Sequence, residues 1–562
     1  MKIQEKYSMR SGAACFSFFW LFFSSCGSPA HNADGAPIAD SSIRNGKELA
    51  MKYCVSCHQL PDPGLLDKAS WQKGVLPGMG PRLGIFGYKG VRYPSFANDP
   101  HVGRGFYPSA PLMAGWQWQE IIDYYTGTAP DSIPPQPEHL PVEMGLKLFK
   151  AMAPGEGGGE AGSVKAGAAG SDKAGASKAG TAGSDETGAS KAGTAGARPL
   201  TSYVRVDSSG GRRQIIAGTL FPGMLWRYDE QLRLTDSVGL HGGIVDAQWA
   251  GDSGIVCNIG NINPNDQLLG TVNRVSYDGK GRLRLDTVPV LAELARPVQA
   301  TEADLNGDGR KDLLVCEFGN QKGELAWWEK DLNGKYIRHV LRAQPGAIKA
   351  YIRDADGDGR PDIWALFAQG DEGIFLYLNK GGGRFEERRV LSFPPEYGSS
   401  YFELADFNKD GHPDIVYTCG DNADYSVVPK PFHGVYIYMN DGTNRFTQSY
   451  FYPINGCYKA MARDFDGDGD LDIATIAYFA DFGKHPEEGF VYLQNEGGMQ
   501  FKPLTLPEGE AGRWLVMDAG DLDGDGKIDL VLGNFSMGPS LSKGKRDWKK
   551  APAILFLKNV GR

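Results

Sequence analysis

Two spacings of apolar residues divide this chain. Near the start, Gly46, Leu49, Ala50, Tyr53, Cys54 and Cys57 recur at helical spacing, and Trp116-Gln117-Trp118-Gln119-Glu120-Ile121-Ile122-Asp123-Tyr124-Tyr125 is amphipathic and aromatic. These predict two helices, the second stopped by a proline-rich run from Ala129 to Pro141. A third, short apolar helix is expected from near Ala69. From about residue 200 the helical period disappears. Apolar residues then come in short runs such as Leu313-Leu314-Val315, Ile473-Ala474-Thr475-Ile476 and Ile554-Leu555-Phe556-Leu557. Runs of this kind between Gly, Asn and Asp predict strands. One strand-like run lies earlier, Gly145-Leu146-Lys147-Leu148-Phe149-Lys150-Ala151-Met152.

Two stretches belong to neither pattern. Lys2, Lys6 and Arg10 precede an apolar run from Cys15 to Phe23, too short to span a membrane stably. Phe23-Ser24-Ser25-Cys26 follows and resembles a bacterial lipobox, with an unusual Phe at its first position. The resemblance implies lipidation of Cys26 and an exported, membrane-anchored protein, at an outer membrane facing the periplasm or the cell surface; a plain secretory signal is the alternative. No later stretch has the length and apolarity of a transmembrane helix. Residues 154–198 are nearly all Gly, Ala, Ser, Lys, Thr and Asp, and repeat Ser-Lys-Ala-Gly-Thr-Ala-Gly at 177–183 and 190–196. Such a segment cannot bury a core and is expected to be disordered.

The strand-rich part is a repeat array. Five segments share D-x-[DN]-x-D-G-x-x-D, starting at Asp304, Asp354, Asp406, Asp464 and Asp521, spaced 50, 52, 58 and 57 residues apart. The oxygen-bearing side chains are Asp304, Asn306, Asp308 and Asp312; Asp354, Asp356, Asp358 and Asp362; Asp406, Asn408, Asp410 and Asp414; Asp464, Asp466, Asp468 and Asp472; Asp521, Asp523, Asp525 and Asp529. Oxygens at positions 1, 3, 5 and 9 with a backbone carbonyl near 7 suit Ca2+, and the Gly at position 6 permits the sharp turn. Up to five Ca2+ ions are therefore expected. The competing reading is an Asx turn that holds a hairpin without metal. EF-hands are excluded, since position 12 holds Val315, Ala365, Tyr417, Thr475 and Leu532 instead of a bidentate Glu.

The pattern resembles FG-GAP/VCBS repeats, which implies β-propeller blades. Two degenerate repeats precede the five, one around Asp246-Ala247-Gln248-Trp249 and one around Tyr203–Asp207 and Gln214–Gly218. Seven units in the 363 residues from 200 to 562 average about 52 each, which suits seven blades, with six or eight as alternatives. The last unit lacks its fourth strand, so residues 145–152 are expected to close the ring, since an open propeller would leave an unpaired edge. Cys419 and Cys457, in adjacent repeats, are candidates for a disulfide, whereas Cys257 and Cys316 are expected as buried thiols. The polar, aromatic insertion from Gly420 to Gly434 is either a ligand-binding loop or a packed structural one.

Cys54-Val55-Ser56-Cys57-His58 reads as a c-type haem attachment site: two thiols bond to the haem vinyl groups and the next imidazole ligates iron. A zinc site or a redox dithiol would want partners that the spacing lacks. Met79 is the favoured sixth ligand, with Met113 and His101 or an open position as alternatives; packing is the plain reading of either Met. The helices around the motif resemble small class I cytochromes c, in which a Gly lets the first helix pack closely on the last.

The expected organisation is a signal peptide and lipobox over 1–26, a tether over 27–41, a small all-α cytochrome c domain over 42–140, a ring-closing strand in 143–152, a Gly/Ala/Ser/Lys-rich loop over 153–199, and an all-β seven-bladed propeller over 200–562. A net charge of −9, much of it in short Asp clusters, argues against nucleic acid and toward metal. No catalytic constellation stands out. The arrangement resembles VCBS-repeat lipoproteins with a cytochrome c domain. It implies electron transfer through one covalent haem c to a redox partner protein, with the propeller docking a protein or glycan. A haem-linked oxidoreductase or carbohydrate-acting enzyme is the first alternative, and a carbohydrate-binding or adhesion protein the second. Deleting residues 145–152 is expected to lower the urea midpoint far more than deleting 156–196; equal losses would show that 145–152 does not close a ring.

Overall fold

The computed structural model describes residues 37–155, 198–208, 211–423, 426–539 and 546–561. The lipobox with Cys26 and most of the Gly/Ala/Ser segment lie outside the described residues. Within them the chain forms a small helical unit seated on a seven-bladed β-propeller.

Each blade is an antiparallel sheet of four principal strands, here a to d from the axis outward. The a strands are Thr201–Asp207, Ile244–Ala250, Pro297–Ala303, Ala347–Ile352, Ser399–Ala405, Cys457–Arg463 and Trp514–Gly520 for blades 1 to 7. The apolar runs of the repeats become the b strands, such as Asp312–Glu317, Asp414–Cys419, Asp472–Ala477 and Asp529–Asn534, whose residues are all buried. Neighbouring blades cover both faces of a b strand, which explains its lack of polar alternation. The d strands are largely exposed, as in Phe385–Ser392 of blade 4.

Polar side chains of the a strands join each blade to the next. Ser202 and Tyr203 donate to the carbonyls of Ile244 and Ala247 at 2.5 and 2.7 Å, from blade 1 to blade 2. Asp246 accepts from Ala300 N–H at 3.4 Å. Gln299 brackets Ala350, accepting from its N–H at 2.7 Å and donating to its carbonyl at 3.0 Å. The hydroxyls of Tyr351 and Tyr401 meet at 2.8 Å. Glu403 accepts from Ala462 N–H at 2.8 Å, Lys459 donates to Met517 O at 2.7 Å, and Asp518 accepts from Val206 N–H at 2.9 Å, which completes the circle.

The ring is closed by a strand from upstream. Phe149–Met152 pairs antiparallel with Ile554–Asn559 as strand d of blade 7. Phe149 is buried and meets Phe465 and Tyr492 edge-on. Of the run expected as one strand over 145–152, only Phe149–Met152 forms it. Glu143–Met144 adds in parallel to the outer strand Phe501–Thr505 of blade 6, and Gly145, at φ 126°, turns the chain from one blade to the next.

In the helical unit, Asp40–Tyr53 crosses Gly115–Thr128 at Gly46, where a Cβ would lie 1.9 Å from the carbonyl oxygen of Glu120. Only glycine allows that approach. Ser42 donates to Asp123 at 2.6 Å and Asn45 to Glu120 at 2.9 Å. The core of the unit holds Ala50, Trp71, Leu83, Tyr93, Met113, Trp118 and Ile121. The unit rests on the propeller face formed by the b–c and d–a loops. Ser70 bonds Ser426 at 2.9 Å, Ser392 bonds Gln59 at 3.3 Å, Arg82 reaches Gln321, and Lys322 donates to His101 O. The proline-rich connection is pinned as well, for Tyr452 donates to Leu140 O at 2.7 Å and Asn455 to Gln136 at 3.2 Å.

Two further expectations are settled by packing. Cys419 and Cys457 form no disulfide: both are free, buried thiols, one directed at Phe432 O and the other at Thr475 Oγ1. The insertion from 420 to 434 packs inward in its described part. Asn422, Lys430 and His433 are buried, Phe432 stacks on Tyr397 at 4.7 Å, and Ser426 carries the contact with the helical unit.

Several carboxyl groups are also enclosed. Glu372, before strand c of blade 4, accepts from Ser399 N–H and Oγ–H of blade 5 at 2.9 and 2.6 Å, and burial pushes its pKa from 4.5 up to about 8. Burial likewise raises Glu396 to about 8 and Glu317 to about 7. A raised carboxyl pKa means that the folded state holds the proton more tightly. The resulting stabilisation is complete below the unfolded value and is lost as pH rises through 7 to 8. Urea midpoints should therefore fall between pH 5 and pH 8.5. Glu372→Gln should match the wild type at pH 5 and exceed it at pH 8.5, by at most about 1.4 kcal/mol per pH unit above the unfolded pKa. Parallel profiles would show that Glu372 is ionised in the fold.

Candidate functional site

The five acidic segments form the a–b loops of blades 3 to 7, on the face opposite the helical unit. Position 1 organises each loop: Asp354 accepts from Gly357 and Gly359 N–H at 2.8 Å each, and Asp521 from Gly524 and Gly526 N–H at 2.6 and 2.9 Å. The glycine at position 6 has positive φ throughout. Position 4 does too, with Gly307, Gly357, Gly467 and Gly524, and with Lys409 in the blade 5 loop at φ 59°.

Position 9 is the most constrained. Asp312, Asp362, Asp414, Asp472 and Asp529 are 0% exposed. One oxygen of each accepts the N–H of loop position 2, from Leu305, Ala355, Phe407, Phe465 and Leu522 at 2.7 to 3.2 Å. The other accepts an N–H at the end of strand c, from Lys330, Asn379, Asn440, Asn495 and Asn559 at 2.7 to 2.9 Å. Burial, reinforced by neighbouring carboxylates, raises all five pKa values, those of Asp472 and Asp529 to about 6.

Positions 1, 3 and 9 converge. Carboxylate oxygens of Asp354, Asp356 and Asp362, of Asp464, Asp466 and Asp472, and of Asp521, Asp523 and Asp529 lie within 4.8 Å of one another in each set. That separation, and an all-oxygen set, suit a hard divalent cation. In the other two loops Asn306 and Asn408 instead donate to Asp308 and Asp410 at 2.9 and 2.8 Å. Position 5 is engaged elsewhere in two loops, where Asp308 and Asp358 pair with Arg310 and Arg360.

Four residues of this site were not singled out from the sequence. Asn379, Asn440, Asn495 and Asn559 end strand c and donate from Nδ2 to the carbonyls of Pro361, Pro413, Leu471 and Ile528, just before the position 9 Asp, at 3.0 to 3.1 Å. Two also reach the preceding blade, Asn379 to Leu305 O at 2.9 Å and Asn559 to Phe465 O at 2.7 Å. Their visible signal is Asn-x-Gly: the side-chain oxygen accepts from Gly381, Gly442, Gly497 or Gly561 N–H at 2.9 to 3.1 Å.

The second group of donors is in the helical unit. Cys54 caps the helix Asp40–Tyr53, donating its N–H to Ala50 O, and its thiol is pushed up to about 11, first by burial and then by Cys57. Cys57 is exposed, and both thiols are free. His58 Nδ1 lies 2.8 Å from Gln59 O, which leaves Nε2 as the nitrogen able to bind a metal. Two free thiols three residues apart and an open imidazole nitrogen are the donor set that a covalently held haem needs, and the residues present fit it. Met79 is half-buried at the end of the short helix Leu76–Met79. Met113 is buried in the core of the unit, and His101 is exposed. Met51, Val55, Leu112 and Trp116 of this unit are 49–64% exposed, Val55 within the motif and Met51 three residues before it.

Family models match the repeats of the propeller. A family model described as FG-GAP-like repeat matches residues 304–365 and 354–417, and one described as FG-GAP repeat matches 458–493. Cartilage acidic protein 1 of Homo sapiens is 25% identical over 251 residues, covering 41% of this chain and 36% of that protein. The Xenopus tropicalis protein of the same name is 32% identical over 202 residues, covering 33% and 29%. The match thus spans about a third of the length of these relatives. Among solved structures, a Lactobacillus plantarum protein overlays with a TM-score of 0.38 at 14% identity, covering 56% of this chain and 88% of that one. The N-terminal domain of Nup159 overlays with a TM-score of 0.38 at 12% identity, covering 64% and 90%. The chain carries FG-GAP repeats on a seven-bladed β-propeller, a platform suited to docking a ligand or partner.

The position 9 and position 3 carboxylates should separate on mutation. With chelator present, Asp362→Ala leaves two buried N–H groups unpaired and should cost about 3 kcal/mol of unfolding free energy, whereas Asp356→Ala at the exposed rim should change it little. Added calcium should raise the wild-type thermal midpoint, and Asp356→Ala should lose part of that rise. Equal losses for the two variants in chelator would overturn the distinction.

Proposed function

We propose that this is an exported, lipid-anchored, mono-haem c-type electron-transfer protein whose calcium-stabilised propeller docks a redox partner or ligand. The observation that carries the reading is the Cys54–His58 turn, with two free thiols and His58 Nε2 open. When bound, the haem supplies one-electron chemistry. Cys54 and Cys57 would hold it covalently on the helical unit, and His58 and Met79 would be the side chains that bind its iron. The seating of the unit on blades 3 to 5 supports a fixed orientation toward a docked partner. The exposure of Val55 within the motif and of Met51 just before it supports a surface that a cofactor or partner covers. Calcium at the a–b loops is a proposal of the same standing, supported by the three converging carboxylate sets. The Cys26 anchor would place the assembly at a membrane.

Production with a cytochrome c maturation system tests this. The full chain should show a sharp reduced α band, retained after denaturation because the haem is covalent. Cys54→Ala/Cys57→Ala should abolish it. Met79→Ala should remove the Met–iron band while Met113→Ala keeps it; the reverse would reassign the ligand. Absence of covalent haem from correctly matured, folded protein would overturn the electron-transfer reading.

A further inference from the structure

The a strands also carry four cations, Arg205, Lys349, Lys459 and Arg463. Lys349, on strand a of blade 4, has no hydrogen-bond or ion-pair partner among the described residues. Its ammonium lies 4.9 Å from the ring centre of Tyr351 and 5.8 Å from that of Tyr401. Lys459, from blade 6, lies 4.6 Å from the same Tyr401 ring. It gives one N–H to Met517 O and retains two. Two ammonium groups, from blades 4 and 6, therefore lie within 6 Å of the centre of one ring of blade 5. The Tyr351 and Tyr401 hydroxyls satisfy each other with a single hydrogen, which leaves one O–H to donate.

Among the described residues the nearby carboxylates form no ion pair with either lysine. Asp246 interacts with Lys349 through space, but its oxygens take the Ala300 N–H and Gln248 Nε2, each at 3.4 Å. Glu403 holds Ala462 N–H and Arg463, and Asp518 holds Val206 N–H. Burial, with Lys349 and Arg463 adding to it, pushes Lys459 down to about 8, although Asp518 and Glu403 oppose that shift. Lys349, Tyr351, Tyr401 and Lys459 are all half-buried.

We propose that the propeller axis binds a compact oxyanion between Lys349 and Lys459, with the free hydroxyl of the Tyr351–Tyr401 pair as a further donor. Phosphate, sulfate and carboxylate share the needed chemistry: one compact negative charge and several acceptor oxygens. An anion there relieves the repulsion between the two ammonium groups and gives Lys349 the partner it lacks.

The test uses the full chain with chelator present and ionic strength held constant. Phosphate, sulfate and acetate are titrated separately by calorimetry and thermal shift. At least one should bind saturably and raise the midpoint, and the three arms identify which. Lys349→Gln should weaken binding at least about tenfold, with its anion-free midpoint near wild type. Tyr351→Phe, which keeps the ring and removes one hydroxyl, should weaken it a few-fold and serves if Lys349→Gln fails to fold. No saturable binding of any of the three up to tens of millimolar, or undiminished binding by both variants, would overturn the proposal.

Discussion

A ring of sheets stands or falls on its seams. Each a strand faces the axis, where it has no further strand to pair with, and its neighbour lies at an angle that ladder hydrogen bonds cannot bridge. The chain meets this constraint with polar side chains at the a strands, from Ser202 and Tyr203 through Asp246, Gln299, Tyr351, Glu403 and Lys459 to Asp518. Different residue types do the same work because what is shared is reach to the backbone or side chain of the next blade. The charge at the axis follows from that requirement.

Within a blade, the position 9 Asp plays the corresponding part. It joins the a–b loop to the end of strand c, and the Asn of Asn-x-Gly ties that end back to the loop and, in two blades, to the preceding one. The carboxylates offered to a cation are therefore held by protein hydrogen bonds as well. The loops keep their form through the backbone, and a cation would add to an arrangement already set.

What could be read from the sequence follows the range of the interactions involved. Blade repeats and their acidic loops were legible because each is a local pattern that recurs. The close helix crossing at Gly46 was legible by resemblance. The Asn residues of strand c were visible as Asn-x-Gly, yet their partners lie across a strand, so only the turn could be inferred. The seam residues were illegible, since Gln299 or Lys459 looks like any solvated strand position until the ring places it at the axis. The strand expected over 145–152 closes the ring but spans only 149–152, because Gly145, at positive φ, turns the chain from one blade to the next. A disulfide between Cys419 and Cys457 was compatible with repeat spacing, but the buried thiols are engaged with different partners.

The strand that closes the ring sets an order of assembly. Met152 pairs with Phe556, roughly 400 residues later. Contacts so distant in sequence form late, because the intervening chain must be gathered first. In a chain made from its N-terminus, the helical unit is complete long before the partner of Phe149–Met152 exists. That unit has its own core and crosses its helices without help from the ring. Cys54 and Cys57 are thus presented by a unit whose core does not depend on the ring while the propeller is still an open arc.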